Sequence, residues 1–195
     1  MVPAKIAGGR LTVAQWAARP EDEPGELVDG RLVEEEMPDL VHETVVAWLF
    51  RVVQPWLRER GGRLFGSEVR LRVSPSRGRK ADVVGWFPGH PRLPGRGAVS
   101  IPPDLVIEVI SPTPTDDRRD RIEKADDYAR FGVHWYWLVD PHARALEIFE
   151  LSDDRYVRML VASRGQVGDV PGCPDLSFDL DGLWAEVDEL AIDPV

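Results

Sequence analysis

The stretch Trp135-Tyr-Trp-Leu-Val139 constrains this chain more than any other: five apolar residues in succession, without polar alternation, read as a strand buried on both faces. Such a strand needs cover above and below, and two segments offer it. Apolar residues at Val41, Val45, Trp48, Leu49, Val52, Val53, Trp56 and Leu57 recur every three or four positions, which predicts an amphipathic helix ended by Gly61-Gly62. Pro55 inside it should kink or loosen the last turns. Ile122, Ala125, Tyr128, Ala129 and Phe131 predict a shorter helix from Arg118 to Phe131, stopped at Gly132.

Between the helices lie three strand candidates, Arg63 to Val73, Ala81 to Phe87 and Asp104 to Ile110, which read as a meander. The link from Pro88 to Pro103 is too long and too rich in Pro and Gly for a tight turn, so it is either mobile or functional. Glu26 to Val33 is a hairpin signal centred on Asp29-Gly30, followed by the acidic patch Glu34-Glu35-Glu36. A second hairpin, Leu146 to Leu151 with Tyr156 to Val161, precedes a tail with one helical turn near Leu183. The order predicts a mixed sheet flanked by helices, in an α/β or α+β layer arrangement. One domain over residues 1–195 is expected, with its core at about 39–141, an N-terminal hairpin at 25–34, and a C-terminal hairpin and tail at 145–195.

The single cysteine, Cys173, has no internal partner, and neither a signal-like apolar run nor a membrane-length span stands out, so a cytoplasmic protein is expected. A formal net charge of −10 argues against a polyanionic partner. Its distribution argues less strongly. Residues 51–130 carry 16 of the 24 Lys and Arg but 11 of the 34 Asp and Glu, so a basic centre sits between acidic ends.

Two acids need an explanation. Asp82, in Lys80-Ala-Asp-Val-Val, and Glu108, in Leu105-Val-Ile-Glu-Val, each stand alone inside an apolar strand. An ionised carboxylate there costs several kcal/mol unless a cation or hydrogen-bond donors compensate it. Mg²⁺ or Mn²⁺ suits such a pair, because these ions take one or two protein carboxylates and leave room for water and substrate. Correct register would put both acids on one face, but the sequence does not fix that register. Lys124 lies one helical turn before Tyr128, at the margin of the apolar stripe, where it can reach solvent or turn toward the carboxylates.

The order of these motifs resembles the Uma-two family of proposed endonucleases, within the restriction-endonuclease-like PD-(D/E)XK superfamily. The matching blocks are Leu11-Thr-Val-Ala-Gln-Trp16, Glu26-Leu-Val-Asp-Gly30, His42, Ala81-Asp-Val83, Pro103-Asp-Leu-Val-Ile-Glu-Val-Ile-Ser-Pro112, Lys124-Ala-Asp-Asp-Tyr128, and Gly132-Val followed by Tyr136-Trp-Leu-Val-Asp-Pro141. The resemblance implies a core of helix, three strands, helix and strand. It implies that Asp82 and Glu108 are the metal-binding acids and that the motif lysine has moved from position 110, here Ile110, to Lys124. Ala81 replaces the superfamily's proline, and Trp135 replaces a glutamate common in the family. Glu26 and His42 enter as accessory candidates.

The function expected on these grounds is hydrolysis of phosphodiester bonds, in DNA before RNA, with Mg²⁺ or Mn²⁺ as cofactor. Arg77, Arg79 and Lys80, read as a loop before Asp82, and Arg118, Arg119 and Arg121, opening the second helix, are the candidate phosphate contacts. Two other readings compete: a nuclease fold without activity that binds nucleic acid or serves assembly, and a metal hydrolase of smaller phosphate esters. Trp16, Trp86 and Trp184 exceed what a small core requires, which points to a homodimer.

Overall fold

The computed structural model describes residues 10–20, 25–33, 38–111 and 118–190. The acidic patch at Glu34 to Glu36 and the motif residue Pro112 lie outside the described residues.

The chain opens with α1 (Val13–Ala17), closed at its start by a capping box in which Thr12 and Gln15 exchange hydrogen bonds. The hairpin of β1 (Glu26–Val28) and β2 (Arg31–Val33) follows, and its turn residues Asp29 and Gly30 have φ of 49° and 77°. Both angles are positive, as a two-residue turn of this kind demands. The long helix α2 (Leu40–Glu59) starts on Asp39, whose carboxylate accepts the His42 N–H at 2.8 Å. It runs without interruption through Pro55, where the missing N–H leaves one carbonyl without its helical partner.

Strands β3 (Arg63–Gly66), β4 (Leu71–Ser74), β5 (Arg77–Arg79), β6 (Val83–Trp86) and β7 (Leu105–Val109) come next. A π-helical segment, Arg119–Lys124, runs directly into α3 (Ala125–Phe131), which Gly132 ends at φ 94°. The rest is β8 (Trp135–Asp140), β9 (Ala145–Ser152), β10 (Arg155–Ala162), β11 (Gln166–Val167), β12 (Phe178–Asp179) and α4 (Leu180–Asp188). The tail therefore holds a nine-residue helix capped by Asp179, where the sequence predicts a single turn.

Six strands form the central sheet in the order β10-β9-β8-β7-β6-β3, with β7 and β8 parallel and the other neighbours antiparallel. Five of the six β8 residues are buried, as their unbroken apolar run requires. One face packs Leu105, Ile107, Val109 and Trp137 against α2 and α4. The other packs Val84, Val106, Tyr136 and Leu138 against Tyr128 of α3. This is a mixed sheet covered by helices, with the restriction-endonuclease-like order of elements.

The meander holds for β3, β6 and β7, but the first expected strand is not continuous. Arg63 to Val73 breaks after Gly66, and β4 leaves for a second sheet of order β2-β1-β5-β4. Arg70 explains the departure: it is buried, and its guanidinium donates to the carbonyls of Arg19 and Pro20 at 2.8 Å each. The β4–β5 hairpin thus docks on the N-terminal hairpin, with Leu27 paired to Gly78. Only glycine fits there, because a Cβ would come within 2.2 Å of the Trp16 ring.

Trp16, Trp86 and Trp184 are 2%, 2% and 4% exposed, so they belong to the chain's own interior and the reason given for a homodimer falls away. No described helix is long and apolar enough to cross a membrane.

Candidate active site

Val83 pairs with Ile107 across β6 and β7, and extending that register by one residue sets Asp82 opposite Glu108. Opposed residues on neighbouring strands share a face, here the face covered by α3. The open question of register is therefore answered by the ladder itself. Asp82 keeps 18% of its side chain exposed, whereas Glu108 keeps 1%.

Both acids are held by donors. Asp82 Oδ2 accepts the Val109 N–H at 2.7 Å and lies 3.2 Å from His42 Nε2. Glu108 Oε1 accepts the Tyr128 hydroxyl at 2.7 Å, and Oε2 accepts Lys124 Nζ at 3.0 Å. Lys124 thus turns inward, and its ammonium also reaches Asp120 Oδ1 at 3.1 Å. Helical spacing carries Lys124 and Tyr128 to the same carboxylate. A cavity of about 180 Å³ opens onto this group, with Lys80, Asp82, Glu108, Arg119, Asp120 and Lys124 in its wall.

The electrostatics follow from burial. Desolvation pushes the Glu108 carboxyl well above its ordinary range even though Lys124 pulls the other way, with Asp82 and Asp120 adding to the rise. Asp82 is lowered: burial opposes its charge, but the His42 contact, Lys124 and the Val109 N–H outweigh it. Burial likewise works against a charge on His42, yet the hydrogen bond to Asp82 and the nearby carboxylates raise it above 6.5. Lys124 is held well above its usual value by Glu108, Glu26 and Asp120 against desolvation, so it stays an ammonium. His42 Nδ1 is buried without a hydrogen-bond partner, since Glu43 stands 3.8 Å away.

Among the described residues no group of three or more His, Cys, Asp or Glu side chains is placed to hold a metal alone. The donor set nonetheless suits Mg²⁺ or Mn²⁺. Asp82 and Glu108 present carboxylate oxygens to the cavity, and Glu108 and Asp120 share the Lys124 ammonium, an oxygen-donor set of the kind such cations take.

A family model described as "Putative restriction endonuclease", Uma2, matches residues 12–181, most of the chain. The chain belongs to the Uma2 family. A solved structure described as a putative nuclease belonging to DUF820 from Anabaena variabilis ATCC 29413 superposes with a TM-score of 0.71, covering 91% of this chain and 99% of that one. At 18% identity that likeness is one of fold. No curated protein matches the sequence.

In this Uma2 chain Glu26 is neither in the cavity nor on the surface. It is buried beneath the site, where Arg79 Nη1 reaches it at 2.6 Å and the Lys80 N–H at 2.8 Å. Arg79 corrects the basic-loop reading twice. It lies in strand β5, and its fully buried guanidinium is committed to Glu26 and to Asp127, 2.8 Å from Nε, so it has no room for a phosphate. Arg77, also in β5, bonds Asp127 at 2.6 Å and Asp29 at 3.2 Å. Lys80 does face the cavity, with its ammonium 3.2 Å from Glu68. Arg119 lines the cavity, Arg118 is exposed, and Arg121 turns away to Glu147 and Asp140.

Asp120, Asp127 and Glu68 were not singled out by the sequence. Asp120 carried a readable signal, the i,i+4 spacing to Lys124. Asp127 and Glu68 carried none, since Asp127 meets Arg77 and Arg79 from β5 and Glu68 meets Lys80 only once the β4–β5 hairpin has folded.

Proposed function

We propose that this Uma2 chain is a divalent-metal-dependent nuclease that hydrolyses phosphodiester bonds, in DNA before RNA. The observation that carries the reading is the pairing of Asp82 with Glu108 on one sheet face, with Lys124 bonded to Glu108 beside a small open cavity.

Asp82 and Glu108 would hold Mg²⁺ or Mn²⁺, which would supply Lewis acidity and neutralise charge on the phosphate. Lys124 offers a permanent ammonium at the cavity wall, able to orient an attacking water or steady the phosphate oxygens. Tyr128 keeps one Glu108 oxygen fixed, and the Val109 N–H does the same for Asp82. His42 holds Asp82 through Nε2, 3.2 Å from Oδ2, and is a positioning residue. Lys80, paired with Glu68, and Arg119 also line the cavity and would add positive charge facing a phosphate.

Asp82→Ala and Glu108→Gln should each abolish Mn²⁺-dependent cleavage of a DNA substrate, and Glu108→Gln should do so with the melting temperature level or raised. Cleavage that survives either change, or persists in chelator, refutes the proposal. One observation favours the competing reading of an inactive binding fold: both Glu108 oxygens already have donors. Calorimetry with Mn²⁺ separates the two, because a binding module has no use for a cation at Asp82 and Glu108. Linear, circular and single-stranded DNA tried beside a generic phosphodiester would separate a nuclease from a hydrolase of smaller esters.

A further inference from the structure

The Pro88 to Pro103 link is not a loose connection. His90 Nε2 lies 2.8 Å from Asp104 Oδ2, the Trp86 indole donates to the Ile101 carbonyl at 3.3 Å, and Val99 exchanges backbone hydrogen bonds with Arg70 and Arg72 at 2.8 and 2.7 Å. Anchored this way, the link forms one wall of a groove of about 950 Å³ whose other wall is β3. Arg63 stands on one side and Arg92 and Arg96 on the other, all exposed. Among the described residues none of these three has an ion-pair partner. Other exposed arginines, Arg58, Arg155 and Arg164 among them, also lack an ion pair with the described residues, so it is the gathering of these three along one groove that sets them apart. In a chain of net charge −10, three arginines without ion pairs along one groove make a local positive field that attracts an anionic occupant.

Two more observations narrow that occupant. Phe65 projects into the groove, 36% exposed, with the Trp86 ring packed edge-on at 5.8 Å behind it. An aromatic face braced from behind and flanked by cations is a platform for a stacked base. Glu68 lines both this groove and the cavity at Asp82 and Glu108, and its ion-pair partner Lys80 lines that cavity, so the two openings are neighbours.

We propose that this groove binds a single-stranded polynucleotide, with Arg63, Arg92 and Arg96 on successive phosphates and Phe65 under a base. The strand then passes Glu68 and Lys80 toward the carboxylates. Only this last step rests on the nuclease reading.

The test is fluorescence anisotropy of the full chain with a labelled oligothymidylate in chelator, so that nothing is cut. Arg63→Ala, Arg92→Ala and Arg96→Ala combined should weaken binding at least tenfold and flatten the slope of log K against log[salt] by about 2, as the loss of three single-strand phosphate contacts requires. Phe65→Leu, which keeps apolar bulk, should cost roughly tenfold. Arg155→Ala, an exposed arginine at the start of β10 outside the groove, should bind as the wild type does. Wild-type affinity in the triple variant overturns the proposal, and so does a duplex of equal length that competes as well as the single strand. Binding as expected without cleavage in Mn²⁺ supports the groove and refutes the nuclease; cleavage with no effect of the triple variant does the reverse.

Discussion

At the scale of single residues, Lys124 matters through what it faces. Its ammonium lies between Glu108 and Asp120, and removing it would leave buried carboxylates opposed to one another. Lys124→Met should therefore destabilise the metal-free protein by about 3–5 kcal/mol at neutral pH, the usual cost of orphaning a buried charge. For a chain of this size that is on the order of 10 °C in melting temperature. Adding Glu108→Gln should recover most of the loss in thermal melts; if the double variant melts no higher than Lys124→Met, the charge argument is wrong. The sign of the pH dependence follows from Glu108 and His42, both raised in the folded state. A raised group stabilises below its unfolded value and loses that contribution as pH rises through its folded value. In chelator, wild-type stability should thus increase as pH falls from 8 to 6, and Glu108→Gln should flatten that rise. Asp82, whose value is lowered, opposes the trend only when acid begins to protonate it below the ordinary carboxylate range.

Among the elements, the π-helical segment Arg119–Lys124 was not legible, since nothing in its composition separates it from the α-helix it feeds. The wider turn has a purpose that the contacts reveal. It lets the Asp120 carbonyl accept the Tyr136 hydroxyl at 2.9 Å while the Asp120 carboxylate meets Lys124. Ile122 within it is 61% exposed, so deleting it removes no core contact but should restore α-helical phase. The expected outcome is helicity and melting temperature close to wild type with Mn²⁺-dependent cleavage down at least a hundredfold. Unchanged cleavage would deny the segment a positioning role. The helices α2 and α3 and strands β6, β7 and β8 were readable because each buries a face whose period shows in the apolar residues. The β4–β5 hairpin was hidden because Arg63 to Val73 reads as one apolar strand and the break depends on Arg70 being captured by carbonyls some fifty residues earlier. The same distance effect disguised Arg79: three basic residues in four positions look like surface until Glu26 and Asp127 arrive from elsewhere. Asp82 and Glu108 stood out as costly acids, yet their facing each other is a property of the ladder and not of either strand.

Over the whole molecule, the Glu26, Arg79 and Asp127 cluster ties the N-terminal hairpin, the β4–β5 hairpin and α3 together at one buried point. Cys173 reports on such global integrity, because it is fully buried and burial pushes its thiol up to about 12. In the native chain at pH 8 it should resist an aromatic disulfide reagent until the protein opens. A chain that begins at residue 38 keeps every element of the central sheet but not Glu26, and should expose Cys173 to the reagent at least tenfold faster. Equal protection would show that the hairpin is dispensable. The wider consequence of the buried arginine concerns how such a fold can change. Its hairpin sits outside the helix–sheet core and looks like an ornament, free to be trimmed or exchanged between relatives. Because it supplies Glu26, one of the two carboxylates that hold Arg79, a relative that discards it leaves that buried guanidinium to Asp127 alone, so loss at the periphery and substitution beneath the site should travel together.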